Sequence, residues 1–86
     1  MNKKFNYLQA THADFSEALS YIDSSTNLNE WLVCLSASKT LFGESGKSLV
    51  QEWSSNSPKY NKGQFASSWK GAGIDSSYVI GFFQKA

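Results

Sequence analysis

The segment from Asn27 to Gly43 constrains the fold more than any other part of this chain. Asn27 stands three residues before Glu30, the spacing at which a side-chain oxygen satisfies the free amides of a helix start. Leu28, Trp31, Leu32, Leu35 and Phe42 then share one helical face, with small Ser38 between them. Gly43 supplies the stop, because glycine alone turns a chain out of a helix without a Cβ clash. A helix this long with a tryptophan on its apolar face needs other elements to cover it. Trp31 is therefore expected near the centre of the core.

The rest of the chain reads as shorter helices of the same kind. Asp14 and Glu17 suggest an N-cap, followed by Phe15, Ala18, Leu19 and Ile22 on one face, with Ser24-Ser25-Thr26 as the end. Leu49, Val50 and Trp53 mark a third helix begun near Ser45. The Asn56-Ser57-Pro58 break follows, since proline lacks the amide a helix interior needs. Asn61 with Gln64 caps a fourth helix carrying Phe65 and Trp69, and Gly71 and Gly73 punctuate again. Asp75 caps a last helix presenting Val79, Phe82, Phe83 and Ala86.

Residues 1–13 show no clear period and read as an arm or a first helical turn anchored by Phe5, Tyr7 and Leu8. No segment alternates with the period of two that a half-buried strand requires. The predicted fold is all-α: a compact bundle of four to five short helices in one domain over residues 14–86. Leu19, Ile22, Trp31, Leu35, Trp53, Phe65 and Trp69 are its expected core. In a domain of 86 residues the core is marginal, so six Phe, four Tyr and three Trp must supply much of the burial.

Charge and composition exclude several classes. A net charge of +1 is too small for a polyanionic nucleic-acid mimic. All the basic residues are lysine, which argues against bidentate arginine reading of bases while leaving phosphate neutralisation open. Cys34 is the only cysteine, so no internal disulfide forms and a reducing, cytoplasmic setting is expected. No run approaches the length of a membrane span, and Met1-Asn2-Lys3-Lys4 has no apolar stretch behind it of the kind a secretory signal carries.

Little catalytic chemistry is visible. Gly43-Glu44-Ser45-Gly46-Lys47-Ser48 has the flavour of a phosphate-binding loop, but only two residues separate its glycines where that motif needs four. No apolar strand precedes it, and it reads as a turn between helices. His12 has no partner ligand or nucleophile at a recognisable spacing, and Cys34 reads as a small buried apolar group. The acids are scattered, with no carboxylate pair of the kind a two-metal centre uses. No metal, no cofactor and no independent enzymatic activity are expected.

What remains is an elbow. From Trp53 to Ile74 the chain carries Lys59, Lys62 and Lys70 and no acid, whereas the other five lysines are outweighed by all seven acids. Lysines beside Tyr60 can neutralise phosphates while the ring stacks on an unpaired base, the usual chemistry of single-strand binding. The plainer alternative is a solvated loop whose Tyr60 packs back on the bundle. Trp53 and Trp69, at helical spacing from Leu49 and Phe65, read as core rather than contact residues.

The order Ala18-Leu19-Ser20-Tyr21-Ile22, Asn29-Glu30-Trp31-Leu32, Glu52-Trp53-Ser54, then Ser57, Lys59 and Tyr60, then Trp69-Lys70 and Gly73-Ile74 resembles the primase C-terminal domain of the second type. The resemblance runs from residue 18 to about residue 86. The chain departs from that pattern at Cys34-Leu35-Ser36, at Val50 and at Gly71. The resemblance implies a small helical domain attached to primases and primase-helicases of phages, plasmids and other mobile elements. Its implied task is accessory to DNA replication: helping a catalytic domain hold template or initiating nucleotide. Ser54, Ser57, Lys59, Tyr60, Lys62 and Lys70 are the residues expected to contact nucleic acid or a partner. The expected partners are a primase or polymerase catalytic domain or subunit and single-stranded DNA, with no membrane. A subunit that grips a polymerase without touching DNA is the alternative. The chain reads either as an excised module or as a free-standing subunit acting in trans. In the second case an apolar patch should receive the catalytic chain, with Tyr7, Tyr78, Phe82 and Phe83 as candidates.

Overall fold

Five consecutive residues of the long helix, Cys34 to Ser38, are all buried. At about 100° per residue that run covers the whole girth of a helix, so this element is wrapped rather than laid on a core by one face. The computed structural model describes residues 7–85, with side chains from 8 to 84. Phe5, Ala86 and the side chain of Tyr7, given roles above, lie outside them. Five α-helices are described: α1 (His12–Leu19), α2 (Leu28–Phe42), α3 (Lys47–Ser54), α4 (Lys62–Gly71) and α5 (Ser76–Lys85). Short 3-10 turns span Tyr7–Gln9 and Gly43–Gly46. The fold is all-α, and there is no strand among the described residues. Helix α2 touches each of the other four helices and lies most extensively against α5.

The caps show how local chemistry sets these boundaries. Asn27 Oδ1 accepts from the Glu30 amide at 2.9 Å, and Asn61 Oδ1 from the Gln64 amide at 2.8 Å. Asp75 Oδ1 accepts from the Ser77 amide at 2.8 Å, and that bond holds its carboxyl below the ordinary aspartate value. Gly43 has φ of 62°, the left-handed region that a side chain rarely tolerates. One cap differs from the sequence reading. The N-cap of α1 is Thr11, and Asp14 sits three residues inside, where the two form a reciprocal capping box. The first helix thus begins at His12, and the arm boundary drawn at residue 13 falls within its first turn. Helix α3 likewise begins at Lys47 rather than near Ser45, because the Gly43–Gly46 segment winds as a 3-10 turn.

Two aromatic clusters fill the space around α2. In one, Phe15 of α1 stacks on Phe82 of α5 with centroids 4.2 Å apart, and Phe42 and Phe83 close on Phe15 edge-on. In the other, Phe65 stacks on Trp69 at 6.4 Å along α4 and meets the edge of Trp31 at 6.4 Å. Leu19, Leu35, Trp53, Phe65 and Trp69 are buried, whereas Ile22 and Trp31 are half-buried. Ile22 lies beyond the end of α1, in the turn, and Leu28 is 57% exposed although its spacing assigned it to the apolar face of α2.

Each indole donates to a different joint. Trp31 Nε1 bonds Ser54 Oγ at 2.9 Å, Trp53 Nε1 bonds the Ile22 carbonyl at 3.0 Å, and Trp69 Nε1 bonds Glu44 Oε2 at 3.2 Å. Lys39 supplies a further tie, donating to the Trp69 and Lys70 carbonyls at 2.9 and 3.2 Å. A cation at the carboxyl end of α4 also interacts favourably with its dipole.

Candidate nucleic-acid or partner interface

The elbow between α3 and α4 is built from consecutive turns. The Ser57 amide donates to the Ser54 carbonyl and the Tyr60 amide to the Ser57 carbonyl, both at 3.0 Å. Ser57 Oγ accepts from the Lys59 amide at 3.1 Å, a serine turn with Pro58 at its centre. Asn61 then starts α4. These bonds fix the backbone from Ser54 to Asn61 without a regular element.

Opposite lies the loop between α1 and α2. Asp23 Oδ1 accepts from the Ser25 amide at 2.8 Å, and the Thr26 hydroxyl donates to Glu30. The two loops are joined by Ser25 Oγ and Ser57 Oγ at 3.0 Å, and by Lys59 Nζ donating to the Ser25 carbonyl at 3.3 Å. Between them is a cleft of about 290 Å³. Trp31 and Tyr60 supply its aromatic surface, Leu28 an apolar edge, and Lys59, Asn61 and Gln64 its polar groups. That volume is at the small end of ligand pockets, roughly 300–1,000 Å³, and suits one planar group rather than a large ligand.

The six expected contact residues therefore separate. Ser54, Ser57, Lys59 and Tyr60 line this one cleft. Ser54 is only 2% exposed and its hydroxyl receives the Trp31 indole, so it braces the floor. Ser57 is 8% exposed and joins the loops. Lys59 is exposed, while Tyr60 is half-buried beside Phe65 with its hydroxyl receiving Gln51 Nε2 at 3.2 Å. Lys62 and Lys70 are exposed at opposite ends of α4 and do not line the cleft. Trp31, assigned to the core alone, is half-buried and lines the cleft, and Ser24, Thr26, Leu28, Asn61 and Gln64 line it without having been singled out as contacts.

The aromatic candidates for a partner patch change as well. Phe82 is 1% exposed and belongs to the core, and Tyr78 and Phe83 are half-buried. Among the described residues the exposed large apolar ones are Leu8, Tyr21, Leu28, Ile74 and Ile80. Cys34 is buried, and burial, helped by the nearby Glu30 charge, pushes its thiol up to about 12. Among the described residues no three His, Cys, Asp or Glu side chains gather as a metal site would require, and no helix is long and apolar enough to cross a membrane.

No curated protein and no solved structure matches this chain. The model of the family described as Primase C terminal 2 (PriCT-2) matches residues 15–84, from Phe15 in the core of α1 to the last turn of α5. The match takes in both loops of the cleft and every helix that supports them. This all-α chain belongs to the primase C-terminal 2 family, a small domain associated with primases and primase-helicases.

Proposed function

We propose that the chain is a non-catalytic accessory module of a phage or mobile-element replication primase, acting by contact with the catalytic polymerase or primase and with single-stranded template DNA. The observation that carries the DNA contact is the cleft in which Trp31, Lys59 and Tyr60 converge, beside a segment free of acids from Trp53 to Ile74. One unpaired base between the aromatic side chains and one phosphate at Lys59 is the chemistry this arrangement suits.

Fluorescence anisotropy of a labelled single strand at low and physiological salt tests it. Binding should weaken with salt, and Lys59→Ala should lower the logarithmic slope by about 0.7, the value for one phosphate on a single strand. No binding at low salt, or binding indifferent to salt, would remove the phosphate contact.

A second reading, a subunit that grips a polymerase without touching DNA, draws on a different observation. Lys59 Nζ and the Tyr60 hydroxyl are already engaged within the fold, by the Ser25 carbonyl and by Gln51. This reading predicts a tight complex with the catalytic chain on size-exclusion chromatography that Lys59→Ala leaves unchanged.

A further inference from the structure

Most polar side chains around the elbow cleft are either engaged within the fold or free to turn. The Ser54 hydroxyl receives the Trp31 indole, Ser57 Oγ joins Ser25, and the Thr26 hydroxyl donates to Glu30. Ser24 and Gln64 also line the cleft, but a rotating hydroxyl or carboxamide presents a donor or an acceptor as the ligand requires. Groups of that kind bind a base without choosing among bases.

Asn61 is different. It lines the same cleft and is also the N-cap of α4, where its Oδ1 accepts from the Gln64 amide at 2.8 Å. The flipped carboxamide would set one donor against another and forfeit the cap, so this bond decides which end of the group faces the helix. What Asn61 has left for a ligand is Nδ2, which donates and cannot accept. Nothing among the described residues engages that nitrogen.

A fixed donor chooses. Thymine carries a carbonyl oxygen where cytosine carries an amine, and guanine carries one where adenine carries an amine. These groups lie on the edge of each base remote from the sugar. With the phosphate held outside by exposed Lys59, that edge is the one that enters beside Trp31 and Tyr60.

We infer that Asn61 sets the base preference of the elbow cleft, favouring bases with a carbonyl oxygen at the entering edge (thymine, uracil and guanine) over cytosine and adenine. The inference rests on the reading of this cleft as a single-strand contact, and it names the class of base the contact prefers.

The test titrates the full chain, labelled with ¹⁵N, with two single strands at low salt, one of deoxyuridine and one of deoxycytidine. The two bases match in size and both lack the methyl of thymine, so they differ only in hydrogen bonding. The uridine strand should bind about three- to tenfold more tightly, the worth of one neutral hydrogen bond. It should also shift the side-chain amide signals of Asn61, which the cytidine strand leaves in place. Asn61→Asp keeps the cap but offers an oxygen in place of Nδ2. Its charge weakens both strands, and the ratio between them should invert. Asn61→Ser caps without a second group or a new charge, and should bring the two strands within about twofold of each other. It keeps the ratio measurable where the aspartate abolishes binding, and melting curves check the folding of both variants. Equal binding of the two strands, a preference for cytidine, or a preference that Asn61→Ser leaves intact would overturn the inference while leaving the strand contact standing. Binding of neither strand would overturn the contact itself, and the inference with it.

Discussion

Gly46→Ala tests the packing that holds α3, and hence the elbow, against α2. Gly46 is buried, and a Cβ added there would lie 2.4 Å from Ser38 Oγ, 2.9 Å from the Ser38 carbonyl oxygen and 3.1 Å from Phe42 Cβ. Ser38 is fully buried, and its hydroxyl donates to the Gly46 carbonyl at 2.9 Å, so it cannot swing aside without breaking that bond. Two costs follow: overpacking, about 1–3 kcal/mol, and a buried polar group left without its partner, about 1–3 kcal/mol. A loss near 3 kcal/mol corresponds to a fall in Tm of roughly 12–24 °C for a domain of this size. Urea denaturation followed by circular dichroism reads the free energy directly. Adding Ser38→Ala removes the nearest clash but not the one with the carbonyl, so the double variant should recover only about 1 kcal/mol. A Gly46→Ala protein within about 0.5 kcal/mol of the wild type would refute this account of the close approach.

Three further outcomes are expected. Trp53→Ala should cost about 3–5 kcal/mol in urea denaturation, because a large buried ring is lost, and Trp53→Phe about 1 kcal/mol for the bond to Ile22; a fully stable Trp53→Ala would contradict its place in the core. Ser54→Ala leaves the Trp31 indole without its acceptor and should destabilise by about 1–3 kcal/mol, with a shift in tryptophan emission that Ser55→Ala does not produce. Cys34 has a folded pKa near 12 against an ordinary 9.0, so the native state keeps a proton that the unfolded chain releases. Its contribution is therefore constant below pH 9 and is lost as pH rises from 9 toward 12, by up to about 1.4 kcal/mol per pH unit. The difference between wild type and Cys34→Ala should show that slope, and its absence would argue against burial of the thiol.

Short-range rules made most of the fold legible. Asn27 and Asn61 were readable because a cap and its amide lie within three residues of each other, and Gly43 because a glycine in the left-handed region ends a helix. The same rule failed at α1, where Thr11 with Asp14 and Asp14 with Glu17 both fit the spacing. The choice falls to tertiary contacts beyond any local pattern: the burial of Ala10 and the edge-on packing of His12 against Phe42 at 4.2 Å. Helix α2 was read as one-faced because a helical wheel counts apolar residues. Ser36 and Ser38 are buried by neighbours that approach closely over small side chains. At the cleft, the elbow residues stood out by composition. The facing loop did not, since Ser25 and Ser57 lie 32 residues apart and nothing local to either announces the other.

The three indole donors give the molecule a spectroscopic property of its own. Because Trp31, Trp53 and Trp69 bond to α3, to the loop after α1 and to the Gly43–Gly46 turn respectively, each chromophore reports on a different seam of the bundle. Of the three, only Trp31 lines the elbow cleft. Pairwise replacement of the others by phenylalanine would leave single-tryptophan proteins in which quenching by a nucleobase is confined to Trp31. The order in which the three emissions change with urea would then record which seam opens first.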